Sequence, residues 1–344
     1  MNLDISRTDD AVRDALKKLS LLWKSRAAVN QDLPDYCGLA FDPARQDFTA
    51  SLLPFRDHQA WVEAPQHLRD QCLSYAWGIY NLKTIYIECN VVTPACEDII
   101  KTPPPSANRA LLQDVMSQAL LDEALHTRMS IMACNYIYEM RGLAPLDYAD
   151  FNLVGWRNGV LAQCGAEWER RLARFAIACA SETLITDYLK TMAEDRSIQP
   201  ICHEVTRTHA VDEWSHSSVF SSVATDIVQG LSNRERSYLR SIILKTVQMF
   251  ANNELGAWST VFTMVGIYII AWWTVLFAVL PLGTSRETHE PPTDVKVNPV
   301  FTPVKTLIYP GPRTSGKFLK TAEENATGNV TDPDPDSPVI PPPH

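Results

Sequence analysis

The string Asp-Glu-x-x-His occurs twice in this chain, as Asp122-Glu123-Ala-Leu-His126 and as Asp212-Glu213-Trp-Ser-His216. Each copy sits in text whose apolar residues recur at helical spacing, and on a helix residues three apart share a face. The second copy is preceded by His209, one turn before Glu213, so His209, Glu213 and His216 point the same way. Imidazoles and carboxylates aimed at one place are the ligands of first-row metal ions. Two such turns demand two helices that face each other.

Around them the text reads as all-α. Glycine is sparse, at 13 of 344 residues, and no cluster of period-2 alternation marks a strand. Residues 8–28 predict an amphipathic helix capped by Thr8 or Asp9, with Val12, Leu16, Leu19 and Leu22 on its apolar stripe. Residues 29–56 predict an irregular wrap. A long helix is expected over 66–100, kinked or ended early by Pro94 and stopped by Pro103-Pro104-Pro105. The next, capped by Ser106 or Asn108, runs to about Arg141, where Gly142 and Pro145 end it. A loop over 143–157, a third helix over 160–194, a fourth over 201–229 closed by Gly230, and a fifth from Ser232 to about Asn253 follow.

Each of the four long helices then carries at least one metal-capable residue. The first and third give a lone glutamate, Glu88 and Glu182; the second and fourth give the Glu-x-x-His turn. Between Glu88 and Glu123 lie 34 residues and between Glu182 and Glu213 lie 30, each enough for about half a helix out, a loop and half a helix back. All can meet at mid-height of a ferritin-like four-helix bundle. There, one Glu from each of two helices and a Glu-x-x-His from each of the others hold a di-iron or di-manganese centre. Alone, a Glu-x-x-His is common on surface helices, and a lone Glu88 is more often a partner for an N–H or an arginine. The weight comes from two copies in the right order. Glu97, Glu167 and Glu169 lie too near helix ends to join, and His203 is off the ligand face. Zinc is disfavoured because HExxH is absent. Asp122 and Asp212, each preceding a ligand Glu, are placed to accept the second N–H of the imidazoles crosswise, Asp122 from His216 and Asp212 from His126.

The third histidine carries a resemblance. The order Glu88…Glu123-x-x-His126…Glu182…His209-x-x-x-Glu213-x-x-His216 resembles that of the di-iron arylamine N-oxygenases, the p-aminobenzoate N-oxygenase family, over roughly residues 65–230. Gly311-Pro-Arg-Thr-Ser-Gly-Lys-Phe-Leu319 is similar to a short helix near that family's C-terminus. The resemblance implies seven ligands, Glu88, Glu123, His126, Glu182, His209, Glu213 and His216, holding two iron ions, with no catalytic residue beyond the metal centre. It implies O2 as co-substrate, and oxidation of an amine to hydroxylamine and onward to nitroso or nitro in secondary metabolism. The amine is a small molecule, aryl or amino-acid-derived, or one tethered to a carrier, and a reductase or ferredoxin-like donor supplies electrons. Tyr80, Lys83 and Asp187 are the candidate substrate contacts, each with an ordinary core or solvated-face reading beside it, as for Arg128 and Arg207. The ligand types alone do not separate iron from manganese.

Composition narrows the remaining classes. A formal charge of −9 without a Lys/Arg run argues against a nucleic-acid partner. Eight scattered cysteines form no CxxC pair, and the polar start Met1-Asn2-Leu3-Asp4 is unlike a signal peptide, so a cytoplasmic protein with reduced thiols is expected. Residues 261–280 carry no charge and have the length of a membrane span, which leaves membrane association or a buried helix open. A homodimer is also open. The expected organisation is an N-terminal helix and wrap (1–56), the di-iron bundle (57–257), a hydrophobic helix (258–283) and a Pro-rich extension (284–344) holding more than half of the 23 prolines, its end disordered. Competing functions are a di-iron C–H hydroxylase, desaturase or ferroxidase, and, of another class, a membrane-anchored helical protein with a structural metal.

Overall fold

A computed structural model describes residues 5–266. Its elements are α1 (Ile5–Arg26), α2 (Gln59–Val62), α3 (Gln66–Ile87), α4 (Thr93–Lys101), α5 (Arg109–Arg141), α6 (Asn152–Gln163), α7 (Glu167–Glu194), α8 (Pro200–Gln229), α9 (Asn233–Phe250) and α10 (Leu255–Met264). The described residues contain no strand, and the fold is an all-α, ferritin-like bundle. Its four core helices are α3 continued by α4, then α5, α7 and α8. The helix α1 packs across α5 and α8, and α9 packs along α7. A single apolar core runs through all of them, from Leu16 on α1 through Trp77, Met116, Ile177 and Phe220 to Val261 on α10.

The α3–α4 helix departs most from a simple reading. Pro94 neither ends it nor breaks it. Instead, Glu88–Val92 form one wide π turn, in which the Thr93 N–H bonds the Glu88 carbonyl five residues back. In a regular α-helix the ring of Pro94 would press on the carbonyl of residue 90, and no N–H would be there to bond it. One extra residue in the turn relieves the contact, as π-bulges do. The Asn90 side chain donates to the Tyr86 carbonyl at 2.8 Å, replacing a bond the wide turn gives up. Glu88 therefore opens the π turn.

Other boundaries also differ from the sequence expectation. The first helix already includes Ile5, so Thr8 and Asp9 lie inside it and do not cap it. The wrap over 29–56 contains three short 3-10 turns, and Tyr36, Phe48 and Leu53 bury it against the bundle. The loop after α5 ends at Phe151, because 152–157 belong to α6. The expected 160–194 helix is two, broken at Cys164–Ala166, where the Glu169 carboxylate accepts the N–H groups of Gly165 and Ala166 and starts α7 afresh. Gly142 ends α5 at φ 61°, the left-handed conformation glycine adopts without a Cβ penalty. Ser232 and Glu235 cap α9 reciprocally.

At the far end, Glu254 holds a positive φ of 49° without being glycine. Buried, it is fixed by the Asn152 backbone and side-chain N–H groups and by the Lys83 ammonium at 3.0 Å. Among the described residues no helix is long and apolar enough to cross a membrane. The described part of the charge-free segment ends at Gly266, just after α10. The rest of it, the Pro-rich extension and the 311–319 fragment lie outside the described residues.

Candidate metal centre

Seven side chains converge where the four core helices cross. Glu88 comes from the π turn, Glu123 and His126 from α5, Glu182 from α7, and His209, Glu213 and His216 from α8. All are buried. They form three overlapping donor sets: Glu88, His126, His209 and Glu213; Glu123, His126, Glu213 and His216; and Glu88, Glu123 and Glu182. Within each set the ligand atoms lie within 4.8 Å of one another.

The imidazoles are oriented in two ways. His126 turns Nδ1 toward Glu123 (3.0 Å) and Glu213 (3.3 Å), and its Nε2 meets Asp212 Oδ2 at 3.1 Å. His216 repeats this, with Nδ1 toward Glu123 (3.0 Å), Glu182 (3.3 Å) and Glu213 (3.4 Å) and Nε2 at 3.1 Å from Asp122 Oδ2. Each aspartate thus reaches the histidine of the opposite helix and fixes which nitrogen faces the carboxylates. His209 presents the other nitrogen: Nε2 lies 3.1 Å from Glu213 and 4.0 Å from Glu88, and Nδ1 lies 3.4 Å from the Tyr80 hydroxyl.

Four carboxylates in one dry cluster repel. Burial, then the charges of Glu123, Glu182 and Glu213, push the Glu88 carboxyl well up; burial, then Glu213 and Glu123, do the same to Glu182. Burial is the largest influence on Glu123 and opposes its ionisation, but the His216 charge and the polar contacts of His126 and His216 together outweigh it and hold that carboxyl at about 2. For Glu213, burial is opposed by the His216 charge and by polar contacts of His126, His209 and His216, which together hold it well below its ordinary range. Burial also works against charged His126 and His216. Their carboxylate partners prevail and raise both, whereas burial and then His126 lower His209.

The donor set fits a pair of cations. Glu88 Oε2, Glu123 Oε1, Glu182 Oε2, Glu213 Oε2 and His216 Nδ1 are buried and make no hydrogen bond. Buried polar atoms are almost always satisfied, so several orphaned ligand atoms on one cluster need an electrophile. Two divalent ions would cancel the charge of four carboxylates, leaving neutral imidazoles as further donors.

Of the other sequence candidates, only Tyr80 borders the cluster. Its ring stacks on Tyr188 at 5.8 Å, and burial raises its phenol above the ordinary range. Lys83 is taken up by Glu254 and lies over the Phe250 ring, because it projects from a different face of α3 than Glu88. Asp187 is exposed, as are Arg128 and Arg207, the last paired with Glu204. Glu97 pairs with Lys101, Glu167 with Arg170, and His203 meets Glu204, all outside the cluster.

Sequence reasoning missed two groups entirely. Trp23 Nε1–H donates to Asp122 Oδ2 at 2.8 Å, and the Ala28 N–H donates to Asp212 Oδ1 at 3.0 Å. No local motif marks either; only the packing of α1 reveals them.

A family model described as "P-aminobenzoate N-oxygenase AurF" matches residues 9–269. A relative named 4-aminobenzoate N-oxygenase, from Streptomyces thioluteus, is 28% identical over 246 residues, which cover 70% of this chain and 73% of the relative.

Proposed function

Since the chain belongs to the p-aminobenzoate N-oxygenase AurF family and is an oxygenase of that kind, we propose that its buried cluster holds two iron ions and that it oxidises the amino group of a small arylamine with O2. The observation that carries this is the convergence of four glutamates and three histidines with unsatisfied ligand atoms. When bound, the iron pair supplies the two-electron reduction of O2. Forming a hydroxylamine from an amine and O2 consumes two external electrons and two protons and releases water, so an electron donor such as a reductase or ferredoxin-like protein is part of the reading. Oxidation to nitroso or nitro repeats the demand for O2.

The chain's own residues divide the work. Glu88, Glu123, Glu182 and Glu213 bind and neutralise the cations. Asp122 and Asp212 keep His216 and His126 in the tautomer that leaves Nδ1 as donor. His209 adds a third imidazole through Nε2. In that tautomer its Nδ1–H is directed at the Tyr80 hydroxyl, so Tyr80 holds a proton position beside the site. Burial of all seven side chains keeps bulk water from the reacting centre.

The test is anaerobic iron reconstitution followed by O2 with 4-aminobenzoate, the compound in the relative's name, and a chemical reductant. About two irons per chain and an N-oxygenated product are expected. Absence of bound iron, or a product hydroxylated on ring carbon, would overturn the reading.

A further inference from the structure

We infer that the N-terminal helix and the turn after it belong to the metal-binding apparatus, with the Trp23 indole N–H and the Ala28 amide as positioning donors for the two aspartates. The inference rests on the two-iron reading above and extends it to a segment outside the four-helix core.

The geometry is paired. Asp122 sits between Trp23 Nε1–H (2.8 Å) and His216 Nε2 (3.1 Å), and both meet the same oxygen, Oδ2. Asp212 sits between the Ala28 N–H (3.0 Å, on Oδ1) and His126 Nε2 (3.1 Å, on Oδ2). Each aspartate is almost fully buried, at 1% and 2% exposed, and a buried carboxylate needs N–H donors to stay ionised and oriented. The two donors lie five residues apart in sequence yet serve aspartates on opposite core helices.

The local structure supplies them for a reason. Trp23 lies in the last turn of α1, and Ser20, one turn earlier, fixes the register of that helix on α5. Its hydroxyl donates to Asp114 (2.7 Å) and accepts from Gln118 (2.9 Å). The Trp23 carbonyl accepts the Ala27 N–H and the Asn30 side-chain N–H, both at 3.0 Å, closing the chain over the helix end. Ala27 is extended (φ −59°, ψ 137°), and Ala28 opens a 3-10 turn, a position whose N–H has no partner within its own helix. That free N–H is the one Asp212 receives.

The consequence is orientation. With one donor outside and one imidazole inside, each carboxylate is held in the rotamer that keeps Nε2 of its histidine protonated and Nδ1 turned toward Glu123 and Glu213. Removing the outer donor lets the carboxylate turn away and leaves the histidine free to flip or to take the wrong tautomer.

Trp23→Phe in the full chain tests this: it keeps an aromatic ring but removes the N–H together with part of the indole's volume, and Leu16→Ala controls for the lost packing. The probe is Co(II), titrated anaerobically and followed by its visible absorption. One of the two ions, the one His216 holds, should bind about tenfold more weakly, with a changed Co(II) spectrum. The metal-free melting temperature should fall by roughly 3–8 °C, the cost of one hydrogen bond to a carboxylate. Ala28→Pro, which removes the other N–H, should weaken the ion held by His126 instead. Leu16→Ala, a buried packing change on the same helix, should lower the metal-free melting temperature and leave the ratio of the two affinities alone. A Trp23→Phe protein with wild-type titration and spectrum would overturn the inference, as would one losing both ions in proportion to lost stability. Wild type that takes up neither Co(II) nor iron would fail the two-iron reading itself. Wild type that loads two ions while Trp23→Phe behaves identically would fail only this inference.

Discussion

His126 on α5 and His216 on α8 are each backed by a buried aspartate of the other helix. His209, two turns before His216, is backed by the neutral hydroxyl of Tyr80 at 3.4 Å. The first two present Nδ1 to the glutamates and the third presents Nε2. An anionic partner makes an imidazole more basic and fixes it through a strong, charge-assisted bond, whereas a long bond to a phenol does little of either. The two Asp-Glu-x-x-His turns are thus rigid anchors, each supported from outside by α1 or the turn that follows it. His209 is the adjustable donor. The glutamates show the same inequality, since Glu182 projects from a regular helix and Glu88 from a π turn.

The largest effect should come from removing the residue common to both kinds of histidine. Glu213 lies near His126, His209 and His216 and belongs to two of the three donor sets. Glu213→Ala should bring the metal content below one ion per chain and abolish turnover, as measured by elemental analysis and product formation. Retention of two ions would show that the sets do not share a bridging ligand.

The aspartates come next. Asp122→Asn and Asp212→Asn keep shape but turn an obligatory acceptor into an amide, and each should weaken metal affinity roughly 10- to 100-fold in a Co(II) titration. The two penalties should be similar. A loss confined to one would show that the paired arrangement is not functionally paired.

Metal removal is read on stability. At ion concentrations about 100-fold above the dissociation constant, each bound ion stabilises the fold by about 2.7 kcal/mol. For a chain of this size that corresponds to roughly 5–10 °C per ion by differential scanning fluorimetry. The difference should widen with pH. In the metal-free protein Glu88, Glu182, His126 and His216 have raised values. Their contribution to stability is present at low pH and lost as pH rises through those raised values. The metal-free melting temperature should therefore fall as pH rises from the ordinary glutamate value of 4.5 past the ordinary imidazole value of 6.5, while protons released on metal binding favour the loaded form. A flat metal-free curve over that range would contradict the charge balance assigned to the cluster.

The mildest change sharpens the other side. Tyr80→Phe removes one long hydrogen bond, worth about 0.5–1.5 kcal/mol, so metal affinity should move less than about tenfold. A penalty as large as that of the aspartate variants would put Tyr80 among the anchors.

Which seven side chains share one place was legible in the chain. Two Asp-Glu-x-x-His turns, a further His one turn away and two glutamates at half-helix intervals can be read because helical spacing converts sequence distance into direction. The crosswise aspartates were legible for the same reason, since each adjoins a ligand glutamate on its own helix. Tertiary structure alone decided what depends on contacts between distant segments or on competition within one turn. Pro94 reads as a kink or a stop, and only the packed helix shows a π turn that aims Glu88 inward. Lys83 reads as a residue near a ligand, but its face of α3 meets Glu254, a residue far along the chain held in a strained backbone conformation. Trp23 and Ala28 carry no motif, because an indole and a backbone amide become donors to buried aspartates only once α1 lies across α5 and α8. Spacing along one helix is written in the chain; the choice of partner across helices is settled by which buried groups must be satisfied when the core closes.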